Sequence, residues 1–154
     1  VERVLRQNGP EIFQDIRIVE QIPAGGRTYR NLASAGDYHR FLAALWQNQL
    51  PYAGEMRALL SLPNRDRIVD GVDAMPDNVL VYDKTGSTSM LCGDMGIVVA
   101  PGEYGGSYPY TFVAIIESPF PVNKYFGWMK QRGNAIRSVS NLVYQDMKDR
   151  YQLA

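Results

Sequence analysis

Hydrophobic positions in the first half of the chain recur with the spacing of amphipathic helices. From Ser34 onward, apolar side chains return every three or four residues, which predicts a helix over 34–50 that ends before Pro51. Ser34 followed by Asp37 is typical of a capping box at the start of that helix. Shorter helices, each with Gly or Pro close to its end, are predicted over 1–7, 54–62 and 65–72.

The second half of the chain changes to short continuous apolar runs, and the first of these is typical of a strand buried on both faces. A turn at 92–94 and later Gly- and Pro-rich turns separate these runs, which predicts an antiparallel meander. A final helix over 124–151 is predicted to bury its apolar stripe against one face of the sheet, although Gly133 weakens its middle. The predicted strands cover 79–82, 96–100 and 110–117.

Length and charge narrow the classes of protein to consider. A chain of 154 residues, 45% of them hydrophobic, can bury one core of ordinary size. It carries 16 Lys and Arg against 16 Asp and Glu, so its formal net charge is zero. A neutral chain gives no electrostatic footprint for nucleic acid or an anionic membrane, and we expect neither as a partner. Cys92 is the single cysteine, which excludes an internal disulfide; we expect no metal and no other cofactor.

A Lys-Thr-Gly triad at residues 84–86 is the motif that carries chemistry. It lies within Asp-Lys-Thr-Gly-Ser-Thr at 83–88, directly after the first predicted strand. Taken alone, the triad is better explained by a lysine at a strand end that is followed by a Thr-Gly-Ser turn. In its setting, the order of elements resembles the penicillin-recognising serine enzymes of the class A β-lactamase type, in which Lys-Thr-Gly accompanies Ser-x-x-Lys and Ser-Asp-Asn.

The resemblance covers most of the chain and is strongest from Ser34 onward. The Gly-Ile-Val-Val-Ala run, the Phe-Val-Ala-Ile-Ile run and the closing helix follow the class A order. The resemblance implies an α/β sandwich with an antiparallel sheet flanked by helices, of which residues 1–154 form the carboxyl-terminal part. Residues 1–78 would be a helical-lobe segment with a loop, and 79–154 the strands and final helix. It also implies a periplasmic or secreted protein.

The resemblance gives each residue of the motif a role. Lys84 would place a cation beside the nucleophile and attract a substrate carboxylate, to which Thr85 and Ser87 would offer hydroxyl groups. Gly86 would let the substrate approach the backbone closely. The backbone N–H of Ser87 would be one donor of the oxyanion hole. The implied substrate is a β-lactam or a peptidoglycan-like peptide, processed through an acyl-enzyme.

Glu20 is the second catalytic candidate that the resemblance implies. In class A enzymes a loop glutamate before the helical segment activates the water that hydrolyses the acyl-enzyme. Glu20 precedes Ser34 by 14 residues, which resembles the spacing in the family. The family's Glu-x-x-x-Asn pattern is not met, because Ala24 stands at the asparagine position. A solvated loop carboxylate is the alternative interpretation.

Two catalytic elements of the family are missing from the sequence. No serine is followed three residues later by lysine, and no Ser-x-Asn occurs. In the family both elements precede the triad by more residues than stand before Lys84. We therefore expect a carboxyl-terminal piece that is inactive alone and needs its missing amino-terminal half as a partner. Met95 also stands where some class A enzymes have an arginine that binds the substrate carboxylate.

Other clusters of residues give alternative interpretations. Cys92 and His39 would form a thiol–imidazole nucleophile pair if the fold brought them together, although Cys92 also suits a small buried position. Asp66, Asp70 and Asp73 match no metal-binding loop and are interpreted as the polar face of a helix. Two further classes of function stay open: a non-catalytic ligand-binding or sensor domain of the same fold, and an interaction module in which the triad is coincidental.

Overall fold

A computed structural model describes residues 1–19, 21 and 31–154. It divides into two compact units, Val1–Pro51 and Tyr52–Ala154. None of the helices in the described ranges combines the length and the hydropathy that a membrane crossing requires. The elements of the described residues are, in chain order, α1 (Glu2–Asn8), α2 (Ala35–Trp46), α3 (Ala53–Leu60), β1 (Leu80–Ser87), β2 (Leu91–Pro101), β3 (Ser107–Glu117) and α4 (Tyr125–Tyr151).

The start of α2 is fixed by the capping box that the sequence predicts. The Ser34 hydroxyl accepts the Asp37 N–H at 3.0 Å, and the Asp37 carboxylate accepts the Ser34 N–H at 3.4 Å. Asp37 is buried and also accepts a 2.6 Å bond from Arg40. Burial raises the pKa of Asp37, but bonds from the Asp15 amide, Arg40 and the Ser34 amide outweigh it and hold that pKa below its ordinary value. The capping-box prediction is confirmed.

The second unit contains a three-stranded antiparallel sheet in the order β1-β2-β3. The predicted meander is therefore present, but its strands are longer than the apolar runs. The first strand continues through the Lys-Thr-Gly triad to Ser87, and the second begins at Leu91, so 92–94 lies inside a strand. The prediction of a turn at 92–94 is wrong. The prediction that the first strand is buried on both faces is also wrong, because it lies at the sheet edge and buries only Asp83.

Helix α4 covers one face of the sheet. Its buried positions recur at three- and four-residue intervals, as an amphipathic helix requires. Ile136 and Tyr144 from this helix join a core in which each fully buried large apolar side chain contributes about 1.5–3 kcal/mol to the free energy of unfolding. The strands contribute Cys92, Val98, Ala100 and Phe112 to this core, and the segment before β1 contributes Ile68, Val72, Met75 and Val79.

The segment 61–79 joins α3 to β1 through turns, so the predicted helix over 65–72 is wrong. Asp66 stabilises these turns, because its side chain accepts backbone amides that directly follow it in the chain. Asp66 is itself 7% exposed, so its interpretation as part of a polar helix face is also wrong. Its Oδ1 atom accepts the amides of Ile68, Val69 and Asp70 at 2.8, 2.6 and 3.1 Å.

Candidate functional site

The backbone of Ser87 points away from the sheet. The Thr88 N–H donates to the Leu91 carbonyl at 2.8 Å, which continues the β1–β2 register by one hydrogen-bonded pair. Hydrogen-bonded and non-hydrogen-bonded pairs alternate along an antiparallel ladder. Ser87 and its partner Cys92 therefore form a non-hydrogen-bonded pair, and the N–H of Ser87 is directed to the outer edge of β1. Thr85, two residues earlier, is oriented in the same way. Among the described residues, no other strand pairs with this edge.

The Lys84 side chain is exposed and folds back on the same edge. Its Nζ atom donates to the Thr85 carbonyl at 2.7 Å, which agrees with the outward direction of the Thr85 backbone groups. Because side chains alternate along a strand, the Lys84 side chain leaves the opposite face from those of Thr85 and Ser87. The strand edge thus brings together an ammonium group, a carbonyl group and an outward amide, on a strand that also carries two hydroxyl side chains.

Arg67 is a residue of this site that the sequence alone did not reveal. Its Nη2 atom donates to the Ser87 hydroxyl at 2.7 Å, and its Nη1 atom donates to the Gly93 carbonyl at 2.7 Å. It comes from the segment 61–79, 20 residues before Ser87. The signal available in the sequence was Met95, which leaves the second strand without the cation that the resemblance implies. The segment before β1 supplies a cation to the face of the triad strand that carries Ser87, whereas Met95, paired with Lys84, lies on the other face.

Gly133 lets this segment pack closely on α4. A Cβ atom at Gly133 would lie 3.4 Å from Nε of Arg67 and 3.3 Å from Nη1 of Arg137. Arg137 donates to the carbonyls of Asp66 and Asp70 at 2.8 and 2.6 Å. The glycine that weakens the predicted helix therefore provides the space in which two guanidinium groups approach the helix backbone.

Two buried aspartates lie on the side of β1 that faces the core. Asp83 is 4% exposed and Asp94 is 2% exposed. Burial raises the pKa of Asp83, although a hydrogen bond from Asn64 opposes the shift. Burial also raises the pKa of Asp94, to about 7, against the hydrogen bond from the Arg67 amide. Asp94 lies in a mostly apolar stretch of β2, which is a sequence signal for a buried carboxyl, but only the register shows that it is a neighbour of Asp83.

The remaining candidates from the sequence contribute less to the described site. Glu20 lies outside the described residues. Cys92 is completely buried, and burial raises the pKa of its thiol, so the nucleophilic thiolate is disfavoured. His39 is exposed on α2, in the other unit. Within the described ranges, no three His, Cys, Asp or Glu side chains come close enough to hold a metal ion.

Comparison with known proteins identifies the family. The pattern of the Beta-lactamase enzyme family matches residues 1–147, so the chain belongs to this family. A search among curated proteins found no match. The superfamily and the fold class that the sequence predicted, a sheet flanked by helices, are confirmed.

Two solved structures share the fold. The structure of PBP-A has a TM-score of 0.69 and 17% identity, and the match covers 96% of this chain and 50% of that one. A point variant of PBP-A, solved as an acyl-enzyme complex with penicillin G, has a TM-score of 0.67 and 17% identity, with 94% and 51% covered. The chain therefore spans about half the length of these structures.

Proposed function

We propose that this chain is the substrate-binding half of a serine hydrolase of the β-lactamase and penicillin-binding type. The substrate is a β-lactam or a peptidoglycan-like peptide, and the nucleophilic serine comes from an amino-terminal half of the same fold. The observation that carries the proposal is the 2.7 Å hydrogen bond between Arg67 and the Ser87 hydroxyl. It places a guanidinium group beside the hydroxyl that would meet a substrate carboxylate, on the face of β1 that carries Thr85 and Ser87.

The edge of β1 supports the chemistry of acyl transfer. Attack of a serine on an amide carbonyl forms a negatively charged oxygen, which needs preorganised donors. The outward N–H of Ser87 is such a donor. Lys84 adds a positive charge that favours a deprotonated nucleophile, and the Thr85 hydroxyl helps to bind the carboxylate. Gly86 leaves the strand surface open to the substrate.

Glu20 is proposed as the base that activates the water for deacylation. Conversion of its carboxylate to an amide, in Glu20→Gln, should leave formation of the acyl-enzyme intact and slow its release. Such an enzyme would act in the periplasm or outside the cell, where its substrates are accessible.

The test is labelling with a fluorescent penicillin, performed on the chain combined with its amino-terminal half. We expect covalent labelling followed by slow release. Lys84→Ala should lower the rate of labelling by about 100-fold, as the loss of one group that stabilises a transition-state charge does. The matched control is Lys148→Ala, an exposed lysine in the last turn of α4. Absence of labelling in the wild type, or equal rates in the two variants, would contradict the proposal.

A non-catalytic ligand-binding or sensor domain of the same fold is the second candidate, because the open edge of β1 can bind a ligand without any covalent step. Such a domain would bind penicillin G reversibly at the same strand edge, with no covalent product. Intact-protein mass spectrometry after incubation with penicillin G distinguishes the two functions. A mass increase equal to one penicillin G molecule indicates the hydrolase, whereas binding without a mass increase indicates the sensor.

A further inference from the structure

Two carboxyl groups meet directly behind the Lys-Thr-Gly triad. The register pairs Asp94 with Thr85 and Asp83 with Gly96, so the two aspartates are diagonal neighbours on one face of adjacent strands. A Cβ atom at Gly96 would lie 2.9 Å from Cβ of Asp83. The glycine therefore leaves the space that the Asp83 side chain occupies.

The hydrogen bonds of this pair leave one oxygen without a donor. Nδ2 of Asn64 donates to both carboxyl oxygens of Asp83, at 3.0 and 3.2 Å, and the Arg67 amide donates to Oδ2 of Asp94 at 2.6 Å. Oδ1 of Asp94 is buried and has no donor among the described residues. The register sets the two carboxyl groups diagonally across adjacent strands, and the charge of Asp83 acts on Asp94. Two carboxylates only accept hydrogen bonds, so neither can be the donor that Oδ1 of Asp94 lacks. A proton on Asp94 makes its side chain a donor to Asp83.

Charges from all the surrounding segments act on the pair. Burial is the largest cause of the raised pKa of Asp94, and the negative charges of Asp83 and Asp66 raise it further. The hydrogen bond from the Arg67 amide and the charge of Arg67 lower it. Lys84 lowers the pKa of Asp83, less strongly than burial raises it. Burial and the acidic neighbours therefore raise the pKa of both aspartates by more than the cations lower it. Asp94 also acts on the buried Cys92 thiol of β2, on which the guanidinium groups of Arg132 and Arg137 from α4 act as well.

We propose that Asp94 and Asp83 share one proton, and that this proton holds the edge strand β1 against β2. Asp94 is then a positioning residue for Lys84 and Thr85. Loss of the proton places two negative charges in a buried space beside Asp66, and their repulsion loosens the Thr85–Asp94 pair. Only the consequence for substrate binding rests on the proposed function. The shared proton and the attachment of the strand do not.

The sign of the pH dependence follows from the raised pKa. An unfolded aspartate loses its proton near 3.8, whereas Asp94 keeps its proton to about 7 in the folded chain. Between these values the folded state binds more protons than the unfolded state, so the free energy of unfolding decreases as pH rises through this window. The stabilisation by the Asp94 proton is complete below pH 3.8 and is lost above about pH 7.

The first test is a carboxyl ¹³C NMR titration of the aspartate-labelled chain. We expect one aspartate to titrate near pH 7. The second test is urea denaturation between pH 5 and 8 for the wild type and Asp94→Asn. The asparagine amide can still donate to Asp83 but has no proton to lose, so the midpoint of Asp94→Asn should fall clearly less with pH than the wild-type midpoint. The matched control, Asp77→Asn at an exposed turn, should keep the wild-type slope.

The shared proton is overturned if every aspartate titrates below pH 5. It is also overturned if the urea midpoint of Asp94→Asn falls with pH as steeply as that of the wild type. If Asp94→Asn does not fold, the wild-type NMR titration decides alone. Neither measurement uses a β-lactam. A failure of penicillin labelling therefore leaves the shared proton standing, and a failure of the titration leaves the hydrolase proposal standing.

Discussion

The hydroxyl of Ser140, completely buried in the middle of α4, donates to the carbonyl of Ile68 at 2.6 Å. Ile68 directly follows Arg67, so this bond fixes the backbone beside the guanidinium group that reaches Ser87. The helix on the covered face of the sheet thus determines where a cation of the exposed strand edge lies.

Ser140→Ala should lower the free energy of unfolding by about 1–3 kcal/mol, because it leaves the buried Ile68 carbonyl without its donor. Chemical denaturation measures the change. The matched control is Ser138→Ala on the same helix, whose exposed hydroxyl bonds only to the Asn134 carbonyl within the helix. This variant should stay within about 0.5 kcal/mol of the wild type. Equal effects in the two variants would refute the importance of the Ser140 bond.

Gly96→Ala should lower the free energy of unfolding by about 1–3 kcal/mol through overpacking. Its Cβ atom would lie 2.9 Å from both Cβ of Asp83 and the Tyr82 carbonyl oxygen, and neither atom can rotate away. In Gly127→Ala, by contrast, the added Cβ meets nothing within 4 Å, so the change in stability should be at most about 1 kcal/mol. Thermal denaturation of both variants compares them, and a neutral Gly96→Ala would show that β1 and β2 are further apart.

Arg67→Ala should weaken the binding of penicillin G roughly 10- to 150-fold, since a charged hydrogen bond contributes roughly 1.5–3 kcal/mol. The dependence of the labelling rate on the concentration of penicillin, measured on the chain combined with its amino-terminal half, provides the apparent dissociation constant. Arg67→Lys keeps the charge but loses the forked geometry, and we expect an intermediate value. Arg150→Ala, which removes a guanidinium exposed on α4, is the control and should bind as the wild type does. An unchanged constant in Arg67→Ala would remove Arg67 from the binding site.

Cys92 should react with iodoacetamide at least about 100-fold more slowly in the folded chain than in urea. Complete burial blocks access, and the raised pKa of the thiol reduces the thiolate fraction at pH 8. Mass spectrometry of samples quenched at intervals gives both rates. Rapid alkylation of the folded chain would mean that β2 opens readily.

Periodic apolar patterns predicted the helices because burial of one face dominates their energetics. The stripe over 124–151 predicted α4 almost to its ends, Tyr125 and Tyr151. Local composition did not predict the full strands, because Asp, Lys and Gly disfavour strands and pairing with a neighbour decides their conformation. Residues 83–87 form a strand because they pair with residues 92–96. A local sequence pattern does not show this pairing.

The Lys-Thr-Gly triad was predictable because its residues are adjacent in the chain. Arg67 and Asp94 were not, since their places depend on the path of a turn-rich segment and on strand register. Asp94 reaches the triad only because the register sets it opposite Thr85. A single-residue slip would turn its side chain to the other face of the sheet.

Lys84 also affects how the folded chain meets other copies of itself. The outer edge of β1 presents backbone groups that a strand from another molecule could bind, and a lysine at such an edge discourages this self-association. The opposite outer strand carries Pro109, which lacks the N–H that pairing needs. Lys84→Ala would therefore remove both the cation that is proposed to attract the substrate and the charge that discourages self-association. Lys84→Arg keeps the barrier, so light scattering on both variants separates lost chemistry from lost solubility.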